Sequence, residues 1–477
     1  MAQLLVALFL HRLVKILGFE VKKLMFTKKK FIQLSHQTKS YLALFAKTID
    51  QFLEKHKKKR TFYVIFLVLA LLIIISRRPD AITNAQFWAE DGVIFYGQVY
   101  ERQGDISTLL IPYAGYLHSF QRIVAIITYF STSLYWSPLF FNIVAIVVQV
   151  LPAWFILSHR FHHLIPKFSL RVLIAFLYLA IPNSFEVHAN LTNAQWRLAI
   201  LFFMIIVAKK PRNFFEKIFD ISGIIISAFT GIFSTILSPI IAILCWKKRS
   251  KRLWVYFGFA TLGSLTQLYF LLNYGHSRQT RSDFGLIDLF TLDALDGFLK
   301  ILGGQVTLSF LLGQNGYGSL LSLTNGNLDW LLLLAGITSV VILGYTLFKS
   351  PLELTLFTTF NILIFGAGFL STFAVSGDLD AVAKTPGFGN RYYFLLMVNL
   401  LLILVWMKWG TTPPQVKNVA TTALMILCVG IILDWRYDPW VDLNFEEYAK
   451  QFQEAPVGKT IEIPIHPPGW FMNLTKH

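Results

Sequence analysis

Charge is what this sequence has least of. Only 14% of its 477 residues are Asp, Glu, Lys or Arg, and acids are the scarcer kind, 26 against 43 basic side chains. With 55% hydrophobic residues gathered into long blocks, so little charge excludes an ordinary soluble globule and points to an integral membrane protein. A block of about 20 apolar residues matches the hydrocarbon core, and it forms a helix because no water is there to satisfy its amides. The expected fold is all-α and polytopic, with about 11 transmembrane helices and large extracytoplasmic loops.

Cysteine is almost missing too. Cys245 and Cys428 both lie in apolar runs and read as core filler, not as a disulfide or metal pair. No Walker motif and no soluble nucleotide domain interrupt the blocks, so an ATP-driven pump would need a partner to supply its motor. The blocks are also nearly free of ionisable residues. A carrier keeps such groups along its path, where each costs about 2.5 to 3.5 kcal/mol on insertion scales. A transporter or flippase of lipid-linked saccharides is therefore the secondary reading.

The charge that is present is unevenly laid. The formal net charge is +17, and residues 1–60 carry 14 Lys and Arg against 3 Asp and Glu. Lys57, Lys58, Lys59 and Arg60 abut an apolar helix, which is how positive-inside anchoring looks, so no nucleic-acid partner is expected. The opening MAQLLVALFLHRLVKILGFE is broken by His11, Arg12 and Lys15. No small-residue cleavage site follows it, and it reads as an interfacial amphipathic helix on the cytoplasmic face.

From a cytoplasmic N-terminus at the plasma membrane, spans are expected over 61–75, 139–156, 170–181, 196–208, 254–272, 330–347, 354–373, 393–407 and 424–433. Two short helices within 221–246 turn at FTGIFSTILSP, where Gly231 and Pro239 disrupt a continuous helix. The basic clusters around Arg160, Lys209 and Lys247 then stay cytoplasmic. Ile123 to Phe130 would spoil that pattern by crossing, so it is read as juxtamembrane or re-entrant. A basic segment 1–60 thus precedes a polytopic domain 61–434 and an external tail 435–477, with external loops at 77–136, 183–195, 274–327 and 374–392. Long connections on one face are where function is usually built.

Each external loop holds a polar cluster. FWAEDG carries Trp88, Glu90 and Asp91, and PYAGYLHSFQR adds Tyr113, Tyr116, His118 and Arg122. IPNSFEVHANLTNAQW holds Glu186, His188, Asn193, Gln195 and Trp196, and NYGHSRQTRSDF holds His276, Arg278, Arg281 and Asp283. The last, ending GFGNRYYF, offers Asn390, Arg391 and Tyr392. A carboxylate shielded by aromatics is a stronger base than in water, because burial disfavours its charged form. Two adjacent acids repel, so one holds a proton or both share a divalent cation. Arg391 or Arg278 suits the phosphate of a lipid-borne substrate, since guanidinium presents a two-pronged donor. Together these groups suggest glycosyl transfer: Glu90 or Asp91 deprotonates an acceptor hydroxyl, the oxygen attacks the anomeric carbon, and lipid phosphate departs against an arginine.

Plainer roles exist for the same residues. The acids suit a helix cap, and Arg391 suits a headgroup anchor. Glu186 and His188, at E-x-H spacing, suit water-facing loop positions better than a metal site. Asn193, Gln195 and Trp196 either position a hydroxylated ligand or satisfy a helix start. Arg278 and Arg281 beside Asp283 suit a loop ion-pair group.

In chain order, FWAEDG, PYAGYLHSFQR, EVHANLTNAQW, FTGIFSTILSP, GNRYYF and IEIPIHPPGW resemble the polytopic bacterial glycosyltransferases of the GT-C superfamily. The likeness runs from Thr61 to Trp470. It implies a catalytic acid in the first external loop, here Glu90 or Asp91, and an outward active site fed by an undecaprenyl-phosphate sugar. It also implies a cell-surface glycan or glycolipid acceptor and partner proteins that make and flip the donor. The basic extension lies outside the likeness. A scaffold docking envelope enzymes through that extension is a third reading, and it leaves the ordered motifs unexplained.

Overall fold

The computed structural model describes residues 47–48, 50–275, 286–376 and 378–477. The chain divides into two units, Met1–Lys58 and Lys59–His477. The described part of the first is a short helical stretch over 50–56, with Glu54 paired to Lys57. The interfacial helix expected within the first 20 residues lies outside the described residues, as do His276, Arg278, Arg281 and Asp283.

The second unit is predominantly helical. Its longer helices are α1 (Arg60–Arg77), α2 (Ser119–Ser131), α3 (Ser137–Ile156), α4 (Phe168–Leu179), α5 (Ala194–Val207), α6 (Phe214–Ala228) and α7 (Phe233–Lys248). There follow α8 (Lys251–Tyr274), α9 (Leu292–Ile301), α10 (Ser309–Leu323), α11 (Asp329–Lys349), α12 (Leu352–Ser376), α13 (Asn390–Trp409), α14 (Pro414–Leu433) and α15 (Phe445–Glu454). A hairpin of β1 (Thr460–Ile465) and β2 (Trp470–Thr475) closes the chain.

Among the described residues, eight helical segments are long and apolar enough to cross a membrane: α1, Leu134–Ile156, α8, Leu292–Leu323, α11, α12, α13 and α14. The fold is that of a multi-pass membrane protein. Eight differs from the expected eleven for a geometric reason. Helices α4 to α7 have only 12, 14, 15 and 16 residues, and at 1.5 Å per residue a 14-residue helix covers about 21 Å of a core about 30 Å thick. Nearly every residue of α5 is buried, so protein, not lipid, surrounds it and full span length is not needed. Helix α2, over the segment read as juxtamembrane, is likewise short at 13 residues.

The stretch 274–327, expected as an external loop, is instead helical from Leu292 to Leu323. A π-helical turn at Leu302–Leu308 and Gly313 at φ 75° interrupt it. Its glycines read as loop punctuation, yet a Cβ on Gly303 would lie 1.9 Å from the Leu332 carbonyl of α11, so the small residue permits a close helix contact. The all-α expectation also omits the terminal hairpin. Ile463 and Ile465 alternate inward and pack with Met472 and Leu474, the period-2 signature of a strand.

The break between α6 and α7 falls at Phe229–Ile232, where a turn was expected, with Gly231 at φ 76°. It receives the loop of the PYAGYLHSFQR motif: Gly231 N–H donates to the Leu117 carbonyl at 3.0 Å, and His118 bridges Thr230. The two ends of the bundle differ. At one, the Arg77 guanidinium closes α1 onto the exit of α14, donating to the Leu179 carbonyl at 3.0 Å, the Trp435 carbonyl at 3.1 Å and the Tyr437 hydroxyl. At the other, Arg160 grips Asp220 with two bonds of 2.7 Å, both groups buried, while Lys209, Lys210, Lys247 and Lys248 are exposed around them. Arg160 and Arg171, which by sequence belong to a basic cluster with His162, His163 and Lys167, point inward and serve packing: Arg171 donates to the Leu157 carbonyl at 3.0 Å.

Candidate functional site

At the Arg77 end, three loops converge. The first is a tight turn at Trp88-Ala89-Glu90-Asp91, in which Ala89 takes φ 39° and Asp91 N–H donates to the Trp88 carbonyl at 2.7 Å. Left-handed backbone is costly for a residue with a Cβ, and it recurs at Ala114 (φ 53°) and Ala189 (φ 54°) in the other loops of this end. The turn is pinned by the C-terminal tail, since Ala89 N–H bonds the carbonyl of His466 in the hairpin connection and Trp88 stacks on Trp440 with centroids 5.4 Å apart. Gly92 leaves no room for more: a Cβ there would sit 2.8 Å from the Ile465 methyl.

This turn separates the two acids. Asp91 is fully buried and accepts from Thr192 Oγ1 at 2.7 Å and from Leu191 N–H at 3.0 Å. Burial pushes its carboxyl up to about 7, against the pull of those two donors. Through these bonds it clamps the 183–195 loop, and it faces away from the group that Glu90 joins. Glu90 is half-buried and faces the other way, accepting from the Tyr113 hydroxyl at 3.2 Å. Tyr113 is pushed above its ordinary range, first by burial and then by the Glu90 charge, while Arg391 opposes the shift. That places Glu90, Tyr113 and Arg391 within reach of one another's fields.

The 183–195 loop supplies the next group. Glu186 accepts from Arg391 Nη1 at 2.5 Å and, through its second oxygen, from Arg391 N–H at 2.9 Å. Arg391 opens α13, and its guanidinium lies 5.0 Å from the Tyr392 ring centre. Tyr392 in turn meets Trp196 edge to face at 6.0 Å. The cluster of Glu90, Tyr113, Glu186, Arg391, Tyr392 and Trp196 thus unites residues about 300 positions apart. Tyr116 stands beside it, half-buried and stacked on His118 at 4.5 Å.

Several residues read from sequence as substrate-binding are engaged in contacts within the fold. Arg122 is buried and donates to the Ile94 carbonyl and to Gln98, both at 2.7 Å, holding the turn after Asp91. His118 is buried and held near 3, neutral, because burial disfavours its charge. His188 is likewise buried well below its ordinary range and bridges Gln149 at 3.1 Å and the Ile74 carbonyl at 3.0 Å. Asn193 donates to the Glu186 carbonyl at 2.9 Å, and Asn390 to Asn183 Oδ1 at 2.8 Å. Trp88 belongs to the Trp440 stack. Gln195 is buried with its Oε1 unpartnered against the α6–α7 break. Tyr113 was noted in the sequence only as a neighbour, and its hydroxyl proves to be the group that orients Glu90.

A shared divalent cation needs both acids to face one point, and Asp91 faces inward. Among the described residues, no group of three or more His, Cys, Asp and Glu side chains is placed to hold a metal ion. A cavity of about 500 Å³ lies at the basic end, and one of about 390 Å³ lies beside Gln98 and Phe471; Glu90, Glu186 and Arg391 line neither. In the cluster Glu90, Tyr113, Arg391 and Tyr392 are half-buried and Glu186 and Trp196 buried, and it is not the floor of either cavity.

Fold and site together define a multi-pass membrane protein with an acid, a phenol and a carboxylate-held guanidinium at one end of its bundle. No family model, no curated protein and no solved structure matches the chain.

Proposed function

We propose that the chain is a membrane glycosyltransferase that moves a sugar from a polyprenyl-phosphate donor to an extracytoplasmic glycan or glycolipid. The observation that supports it most is Glu90: a half-buried carboxylate, oriented by Tyr113, beside a guanidinium positioned by Glu186. Glu90 takes the proton of the acceptor hydroxyl as its oxygen bonds to the anomeric carbon; the bond from that carbon to the lipid phosphate breaks, and the phosphate leaves toward Arg391. Glu186 engages Arg391 Nη1 and the Tyr392 hydroxyl accepts from Nη2 at 3.5 Å; guanidinium carries five N–H donors, and the others face phosphate oxygens. Tyr392, half-buried, supplies a ring face for a sugar, and the buried Trp196 packs behind it. The plasma membrane with a cytoplasmic N-terminus agrees with exposed lysines at the opposite end.

The test is to incubate membranes containing the chain with a panel of radiolabelled polyprenyl-phosphate sugars and follow label into a new glycosidic bond. Transfer from one donor, absent from membranes lacking the chain, supports the reading. Label that changes leaflet without forming a glycosidic bond favours the flippase.

A further inference from the structure

We infer that the bundle end opposite Glu90 holds an anionic phospholipid, one alkyl chain of which occupies the cleft between α3, α4, α5, α12 and α13. The cleft encloses about 500 Å³. Its wall is almost wholly apolar, with Ala175 of α4, Phe203 of α5, Phe357 of α12 and Leu401 of α13 on it; Lys167 and Glu353 are its charged members. An apolar cavity of this kind stays dry, and in a bilayer the filler at hand is hydrocarbon.

Depth and charge choose the occupant. The wall is exposed at Lys167, Pro351 and Trp409 and runs inward along α4 to Tyr178. Eleven residues of helix rise about 16 Å, half of a core about 30 Å thick, so the cleft has the depth of one leaflet. Its floor is polar, because the Tyr178 ring lies 5.3 Å from the buried Arg197 guanidinium. Lys248 binds Glu353 at 2.7 Å, and the charges of Lys209 and Lys248 both act on the nearby His163. Lys167, on the cleft wall, and Lys248 thus face the single carboxylate of Glu353 at the mouth. Trp406 and Trp409 stand on the same wall, as rings do at headgroup depth. A positive mouth over a leaflet-deep apolar shaft fits a lipid whose headgroup is anionic. This site is independent of the Glu90 reading.

The full chain, extracted in mild non-ionic detergent from vesicles of equal phosphatidylglycerol and phosphatidylcholine, is weighed by native mass spectrometry. One phosphatidylglycerol retained per chain is expected, with retention falling about tenfold in Lys167→Glu and lost in Ala175→Trp. Because Ala175→Trp alters a buried wall, Lys167→Glu, at an exposed side chain, carries the test by itself. Equal retention of phosphatidylcholine, or retention unchanged by Lys167→Glu, overturns the inference. So does preferential capture of a polyprenyl phosphate added to the same vesicles.

Discussion

Two neighbouring carboxylates here face opposite ways, and the buried one ties the stability of the fold to pH. Asp91 is raised to about 7 when folded, from 3.8. A raised acid stabilises the fold below its unfolded value, and that contribution is lost as pH rises through the folded value, so apparent Tm in detergent should fall between about pH 4 and pH 7. A displacement of about three units corresponds to about 4 kcal/mol at most. In Asp91→Asn the pH slope should flatten, because nothing at that position titrates; an unaltered slope assigns it elsewhere. Arg391→Lys keeps the charge but loses the fork shared with Glu186, and kcat/KM should fall by about ten- to a hundredfold, the worth of one charge-assisted hydrogen bond. Activity equal to the parent chain would remove Arg391 from the site. Sequence placed Glu90 and Arg391 in loops of one end because both sit beside span ends. It did not separate Glu90 from Asp91, since which acid turns inward depends on the left-handed Ala89 and on Thr192, a partner 101 positions away.

At the scale of elements, the α6–α7 break is the device that seats the loop bearing Tyr113 and His118. Gly231 holds φ 76° there, and a Cβ would lie 2.6 Å from Gln195 Oε1. Gly231→Ala should therefore cost about 1 to 2 kcal/mol through left-handed strain alone, read as a lower apparent Tm with loss of activity in proportion to folded protein. A variant as stable as the parent would show that the break is set by other contacts. This break was legible because Gly231 interrupts a 26-residue apolar run, whereas Pro239, expected to disrupt the helix as well, lies inside α7; α1, α3, α8, α11, α12, α13 and α14 were legible as plain apolar blocks. The helices over 292–323 were not, because glycines used for close packing look like loop glycines. The hairpin was missed for a different reason: six-residue strands carry little periodic signal in a chain read for helices.

The whole molecule is polarised, with the acid cluster at one end and exposed lysines at the other. Positive-inside placement predicts that a membrane-impermeant thiol reagent on intact cells labels Phe388→Cys, beside Arg391, and spares Lys210→Cys, in a background where the exposed Cys428 is replaced by serine. The reverse pattern would put the cluster in the cytoplasm and end the proposed access to an external acceptor. Within that frame, the account rests on Glu90 as the base. The most direct measurement is the initial rate of sugar transfer by Glu90→Gln beside the parent chain, at equal amounts of folded protein. The account predicts a fall of about 10²- to 10⁴-fold in kcat with donor KM little changed; an undiminished kcat would contradict it.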